Sequence, residues 1–549
     1  MSFIETIVRS LQRRAEFPVL FEVRGKELCP CSGNEVLRLV SSARAQLRNQ
    51  GVGPGDRVAL LGPNSIHWVA ADLAVLAHGA VCVPLYHRQE AKELAQMLRD
   101  CEPKLLICSD PAVLTNLRTA WNPSCPVLFL TDVVHGASGS PEDPHSVRPE
   151  DPVTIIYTSG TSGEPKGVVL TRANIDFMIQ RTAARLAETT GRQSAEDRIF
   201  HFLPFCFAGS RLMLWTQLYR GNPLMISTDL KNLPEELATA SPQYFLTVPA
   251  FLDRIRSAVS EKLHAAGGLP AVLYRVGAEA GDRVSRRRAG PVDLLLLGIS
   301  KLVVFRKIRR KVGPNLEFII CGSAALSEET QRWCKMIGLK VLQVYGLTET
   351  TGIVTMDRKE SVRTGFVGKP IDGCDVRITD EGELACRGPN LFPGYWRKPE
   401  ATRAILRDGW LYTGDLAEAA SDGNLKIIGR LKNIIVPASA HNVAPEPIEQ
   451  QILENCPGIE HAVVVGHGKP YLAVLITGSA EDEEIVRALG KVNDALPHYK
   501  KIRKYRRLDE RFTVENGLLT ANQKIRRSAI ETRMKRFING IYGESEGQS

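Results

Sequence analysis

Short apolar runs, spaced through the first 320 residues, set the pattern of this chain. Residues 57–62, 80–85, 104–108, 153–157, 223–227, 244–248 and 317–321 each read as one short buried strand. Between many of them apolar positions recur at helical spacing, as over 66–78 and 89–100. This alternation predicts an α/β fold, a large N-terminal domain of layered, largely parallel sheets. The pattern changes over 373–428. There Val376–Thr379, Gly382–Cys386 and Leu425–Ile428 alternate and are separated by glycine turns, which predicts a small antiparallel barrel-like subdomain. It changes again after Gly429-Arg430-Leu431-Lys432. A helix is expected from about 445, strands at 462–466 and 471–476, and a terminal helix from about 526. The expected domains are therefore 1–430 and 431–549. The second is a small, mobile α+β domain on a link short enough to act as a hinge.

At 549 residues the chain is too long for a single core. Its 44% hydrophobic and 24% charged residues are those of an ordinary globular protein. The net charge of +9 is mild for the length. Twelve cysteines are scattered, and Cys29-Pro30-Cys31 has no second pair at zinc-ligand spacing, so reduced thiols and a cytoplasmic location are expected. The N-terminal residues carry Glu5 and no long apolar core, which predicts no secretory signal. No apolar run is long enough to span a bilayer.

Candidate chemistry begins at Tyr157-Thr158-Ser159-Gly160-Thr161-Ser162-Gly163-Glu164-Pro165-Lys166-Gly167. The run leaves an apolar strand and is rich in glycine and hydroxyl groups. Glycines let the backbone approach a ligand closely. Successive N–H groups form an anion nest, to which Thr158, Ser159, Thr161 and Ser162 add hydroxyl donors. Polyphosphate suits such a loop. It is not a Walker A loop, because Lys166 is followed by Gly167 and not by Ser or Thr.

Four further segments accompany it: Cys321-Gly322-Ser323-Ala324-Ala325, Tyr345-Gly346-Leu347-Thr348-Glu349-Thr350-Thr351-Gly352, Gly409-Trp410-Leu411-Tyr412-Thr413-Gly414-Asp415 with Arg430 following, and Leu519-Thr520-Ala521-Asn522-Gln523-Lys524-Ile525-Arg526-Arg527. Together with the loop, they resemble the adenylate-forming superfamily over about residues 20–542. Within it, Arg306–Ala324 and Asn442–Glu449 are similar to the long-chain fatty acyl-CoA synthetase branch.

The resemblance implies a ligase that uses ATP and Mg²⁺ to turn a fatty carboxylate into acyl-AMP and pyrophosphate, then passes the acyl group to the thiol of CoA. It implies that residues 158–163 and Lys166 hold phosphates, and that Gly322, Ser323 and Ala324 lie along the adenine and the acyl carbonyl. Tyr345 with Gly346 would face the purine, Thr348 the α-phosphate, and Asp415 with Arg430 the ribose. Glu349 and Thr161 are the implied Mg²⁺ contacts, Lys524 the mobile catalytic lysine and Lys432 the hinge.

Three positions depart from the pattern. Phe207 stands where many relatives have histidine beside the acyl carboxylate. Ser439-Ala440 replaces a glycine pair of the pantetheine tunnel, which narrows a channel lined by backbone. Asn433 stands where an acid is common. Two rivals stay open: an acyl-AMP ligase loading a carrier-protein phosphopantetheine, and an inactive lipid- or nucleotide-binding scaffold at a membrane. Ten basic residues between Arg283 and Lys311 flank Leu294–Leu297 and Leu302–Phe305. They leave open a solvated helical surface or a peripheral contact with anionic lipid. Nucleic acid is disfavoured, since no aromatic stacking platform accompanies the charge.

Overall fold

Every strand expected from the apolar runs is present, and the runs assemble into two mixed sheets. The computed structural model describes residues 1–543 except 138, 160–163, 194–196, 286–287, 439–440 and 521–523. Two compact units result. One comprises residues 1–87, 91–375 and 386–411, and the other 88–90, 376–385 and 412–549.

In the first unit a nine-stranded sheet runs in the order Lys369–Pro370, Thr355–Met356, Val341–Tyr345, Phe318–Cys321, Tyr244–Thr247, Ile199–His201, Leu224–Ser227, Pro18–Arg24 and Glu27–Ser32. From Val341–Tyr345 to Pro18–Arg24 all neighbours are parallel, and both ends are closed by antiparallel pairs. A seven-stranded sheet follows the same plan. Val127–Phe129, Leu105–Cys108, Arg57–Leu61, Val81–Leu85 and Pro152–Ser159 are parallel, and Pro165–Thr171 and Gly394–Tyr395 add antiparallel strands beyond them. Fully buried parallel strands need apolar side chains on both faces. This is why unbroken Val/Ile/Leu runs rather than alternating ones mark them.

The second unit contains the small antiparallel sheet expected from the alternating segment, with Trp410–Ala419 paired to Leu425–Arg430. It also contains a sheet of Ile459–Val465, Leu472–Gly478 and Ile502–Arg507, covered by helices Glu446–Asn455 and Asp482–Asp494. The terminal helix is two helices, Arg527–Arg533 and Lys535–Tyr542.

Three elements escape the sequence pattern. The hairpin Pro18–Ser32 extends the nine-stranded sheet from the far end of the chain. Strand Ile502–Arg507 buries only Ile502 and is basic elsewhere but for Tyr505, so it shows no apolar run. Residues 249–312 are almost wholly helical and contain no strand among the described residues.

A buried polar knot ties the first unit together. Arg211, on helix Ala208–Arg220, pairs with Asp72 on helix Ile66–Ala77, and both side chains are fully buried. Arg211 also donates to Thr154 Oγ1 at 2.5 Å, and Trp215 Nε1 donates to the other oxygen of Asp72 at 2.9 Å. Removing one partner of a buried pair strands the other charge. Asp72→Ala should therefore cost about 3–5 kcal/mol of stability in the larger unit, read from its urea transition. A loss below about 1 kcal/mol would show that the knot contributes no more than an exposed ion pair.

Asp357 pins the middle of strand Val341–Tyr345 by accepting from the Gln343 N–H at 2.8 Å, while its other oxygen is buried without a hydrogen bond. Burial pushes this carboxyl up to about 7. A raised carboxyl favours the folded state below its unfolded value and loses that contribution as pH rises through 7. Asp357→Asn keeps the acceptor and cannot ionise. The wild-type urea midpoint should fall relative to the variant's between about pH 4 and pH 8. Parallel pH profiles for the two proteins would contradict this account.

Candidate functional site

The antiparallel hairpin Pro152–Ser159 and Pro165–Thr171 carries the glycine- and hydroxyl-rich loop at its tip, with Thr158 opposite Lys166. Residues Gly160, Thr161, Ser162 and Gly163 lie outside the described residues, as does the side chain of Ser159. The hairpin's base is tightly built. A Cβ on Gly167 would come within 2.7 Å of Ile155 Cγ2, and the Gly167 carbonyl accepts from the Trp396 N–H at 2.7 Å.

That contact draws strand Gly394–Tyr395 alongside Pro165–Thr171, with Tyr395 opposite Val168. Lys166 Nζ then sits 5.2 Å from the Tyr395 ring centroid, within cation–π range. The Tyr395 hydroxyl donates to Glu349 Oε1 at 2.7 Å. The Glu349 carbonyl accepts from the Phe392 N–H at 2.9 Å. Three residues far apart in sequence, Lys166, Glu349 and Tyr395, thus meet at one end of the hairpin. Tyr395 carries no signal of its own in the sequence, and only the register of its two-residue strand reveals it.

Glu349 and Thr348 belong to the single helical turn Thr348–Thr350 that leaves strand Val341–Tyr345. Gly346 is obligatory there, because a Cβ would lie 2.4 Å from the Gly352 carbonyl oxygen. Thr350 closes the turn, accepting from the Leu347 N–H and donating to the Leu347 carbonyl, both at 2.9 Å. Tyr345 is half-buried at the strand end. On the neighbouring strand, Gly322 packs under Val344, where a Cβ would meet Val344 Cγ2 at 2.5 Å. Ser323 and Ala324 follow it exposed, and Ser323 is left-handed with φ 71°.

Phe207 caps helix Ala208–Arg220, its ring 5.8 Å from that of Tyr86. The loop before it is fastened at Leu203, whose carbonyl accepts from Asn64 Nδ2 at 2.8 Å and Ser210 Oγ at 2.9 Å. His201 Nε2 lies 2.9 Å from the same carbonyl. Burial pushes His201 down to about 4, so at neutral pH it is an uncharged wedge stacked on Phe205. Gly209, two residues past Phe207, approaches Gly352, where a Cβ would lie 3.5 Å from Gly209 Cα. The Phe207 turn and the Thr348–Thr350 turn are therefore neighbours. Asn64 and His201 give no sequence signal, since each acts through a backbone group of another segment.

The remaining candidates belong to the second unit. Asp415 and Arg430 stand opposite each other across two antiparallel strands, and Arg430 Nε lies 2.8 Å from Asp415 Oδ1. Lys432 is exposed on the turn Leu431–Asn433, beside which Asn433 Nδ2 donates to Glu446 Oε1 at 2.6 Å. Ser439 and Ala440 lie outside the described residues. Lys524 is exposed, and its carbonyl accepts from the Thr520 N–H at 2.8 Å. Three residues on, Arg527 donates to Glu449 Oε1 at 2.5 Å and to the Val464 carbonyl at 2.7 Å, a buried anchor for the lysine-bearing segment. Among the described residues no cluster of three His, Cys, Asp or Glu could hold a metal alone.

The chain has relatives among known proteins. The model of the AMP-binding enzyme family matches residues 9–396, and that of the AMP-binding enzyme C-terminal domain matches 432–546. The long-chain-fatty-acid–CoA ligase FadD15 of Mycobacterium tuberculosis is 32% identical, covering 93% of this chain and 92% of that protein. Long chain acyl-CoA synthetase 3 of Arabidopsis thaliana is 28% identical over 81% of this chain and 73% of that one. Among solved structures, the adenylation domain of a carboxylate reductase from Mycobacterium chelonae superposes with a TM-score of 0.80 at 21% identity, covering 99% of this chain and 91% of that one. The O-succinylbenzoate coenzyme A synthetase of Bacillus subtilis, solved with AMP, gives 0.74 at 19%, covering 96% and 98%. These structures share the fold, and the sequence matches run through the hairpin, the Glu349 turn and the lysine-bearing C-terminal segment, so the chain belongs to the AMP-binding enzyme family.

Proposed function

We propose that this chain activates a long-chain fatty acid with ATP to an acyl-adenylate, releasing pyrophosphate, and then transfers the acyl group to the thiol of CoA. The observation that supports it most is the meeting of Lys166, Tyr395 and Glu349 beside the hairpin tip. An ammonium, an aromatic hydroxyl and a carboxylate there suit a nucleotide polyphosphate. The relatives named as long-chain-fatty-acid–CoA ligases and acyl-CoA synthetases supply the substrate class.

In this reading the loop 158–163 and Lys166 hold the β- and γ-phosphates, and Thr348 donates to the α-phosphate. Tyr345, Gly346, Gly322, Ser323 and Ala324 border the adenine and the acyl carbonyl. Asp415, kept in place by Arg430, accepts from the ribose hydroxyls. Phe207 borders the acyl carboxylate. Glu349 suits Mg²⁺, because its carboxylate takes one hydrogen bond from Tyr395 and keeps an oxygen for a hard cation. With no all-protein cluster among the described residues, the ion would be held mainly by that carboxylate, the Thr161 hydroxyl, phosphate oxygens and water, and would neutralise phosphate charge.

The first half-reaction is an in-line attack of the fatty carboxylate on the α-phosphorus. Catalysis is positioning plus charge neutralisation. Lys524 bridges the carboxylate and α-phosphate oxygens, where a unit charge about 4 Å from an oxyanion contributes roughly 4 kcal/mol at an effective dielectric near 20. In the second half-reaction the CoA thiol attacks the acyl carbonyl and AMP leaves. The second domain turns about Lys432 between the two, bringing residues 437–443 with Ser439 and Ala440 to the thiol's path.

Pyrophosphate exchange into ATP, dependent on added long-chain fatty acid, tests the first half-reaction. Acyl-CoA formation on adding CoA tests the second. Acyl-AMP that accumulates at saturating CoA while a holo carrier protein is acylated would transfer the reading to a carrier-protein ligase.

Lys524→Ala should lower acyl-AMP formation about a hundredfold or more, the scale of losing one preorganised oxyanion donor. Because Lys524 is exposed, the variant's stability should change by less than about 0.5 kcal/mol. Near-normal adenylation in the variant would exclude this lysine from the chemistry. Glu349→Gln retains an acceptor for Tyr395 and loses the charge. It should raise the Mg²⁺ concentration at half-maximal rate, and an unchanged Mg²⁺ titration would show that the metal is held elsewhere.

A further inference from the structure

The helices of residues 268–312 carry a face that the reaction does not use. Pro291–Ser300, the wide turn Lys301–Phe305 and Arg306–Val312 run on as one helix, since both junction residues keep helical dihedrals. Its inner side is seated by Leu297, Val304, Phe305 and Ile308, all buried. Helix Gly268–Ser285 packs against it so closely that a Cβ on Gly277 would fall 2.4 Å from the Ser300 side chain. Ser300 Oγ donates to the Leu273 carbonyl at 2.8 Å, and Phe305 packs edge-on against Tyr274. The pair is a rigid hairpin.

The outer side is the reverse of what water favours. Val292, Leu295, Ile299 and Leu302 recur at spacings of three and four, so they form one stripe about 15 Å long. They are exposed, Leu295 by 64% and Leu302 by 71%. Leu269 and Val272, exposed at the start of the partner helix, widen the stripe beside the wide turn. A cluster of this kind marks a docking surface. Beyond Val303 the exposed positions are basic, through Arg306, Lys307, Arg310 and Lys311. Over 291–312 six basic residues face one acid, Asp293, and its carboxylate is engaged by Arg283 at 2.8 Å. No described helix is long and apolar enough to cross a membrane.

We propose that this outer face is an interfacial docking surface for an anionic lipid bilayer. The apolar stripe enters the acyl boundary, and the basic end rests on lipid phosphates. Apolar side chains on one side of a helix, continued by lysines and arginines, match the two layers of such a surface in order. A polar protein partner would not favour six unshielded apolar side chains.

Co-sedimentation with vesicles tests it, using phosphatidylcholine alone and phosphatidylcholine mixed with phosphatidylglycerol. The wild type should bind the anionic vesicles preferentially, and binding should weaken as salt is raised. Arg306→Glu/Arg310→Glu should weaken that binding by about tenfold or more, given roughly a fivefold contribution from each cation near an anionic surface. Leu295→Ser/Ile299→Ser/Leu302→Ser should abolish stable association with an unchanged circular dichroism spectrum. Wild-type protein that stays in the supernatant, or a serine variant that binds as the wild type does, overturns the proposal. So does a wild-type dimer that the serine variant splits, with no vesicle binding. The assay contains no fatty acid or nucleotide, so its failure leaves the proposed reaction untouched.

Discussion

The buried contact of Arg211 with Asp72, Thr154 and Trp215 is the constraint on which the first unit depends. It joins a helix that follows a strand of the nine-stranded sheet to a helix and a strand of the seven-stranded one. An isolated charge at this depth would be prohibitive, so the four groups have few alternative arrangements. The knot fixes where helix Ala208–Arg220 begins, and hence where Phe207 stands relative to strand Pro152–Ser159. Two sheets that could otherwise slide on apolar side chains are held in one relative position by directional bonds.

Close backbone approach is the second constraint, and it explains the glycines. Gly346, Gly167 and Gly322 each occupy a place where a Cβ would lie within 2.7 Å of another group. The first lets a strand turn at once into the Thr348–Thr350 segment, and the second lets the strand of Tyr395 dock on the hairpin. Glu349, Lys166 and Tyr395 come together only because both approaches are allowed. The site is thus built as much by absent side chains as by present ones.

The second unit solves a different problem, since its candidate lysine must be exposed and yet well placed. The Lys524 carbonyl accepts from the Thr520 N–H, and the segment beyond it is anchored through Arg527 to Glu449 and Val464. The buried Arg527–Glu449 pair holds that segment while Lys524 stays exposed. The helical hairpin of the first unit shows the same division of labour: a fully packed inner side leaves the outer side to carry an apolar stripe.

The sequence by itself determined the kinds of element and the chemistry of the loops. Parallel strands buried on both faces must be written as unbroken apolar runs, so 57–62, 104–108 and 317–321 were legible as strands. Residues 157–167 and 345–352 stood out as segments rich in glycine and hydroxyl residues in a narrow order. What only the tertiary structure decided was which distant residues meet. Tyr395 reaches Glu349 by the register of a two-residue strand, Asn64 and His201 act on the Leu203 carbonyl, and Asp72 finds Arg211 across 139 positions of chain. None of these contacts follows a helical or strand period, because each crosses between elements whose relative placement is set by packing. The same holds for the stripe at Val292, Leu295, Ile299 and Leu302. Leucines and valines in a helix predict a buried face, and only the packing of Leu297, Val304 and Phe305 on the other side shows that this one is turned outward.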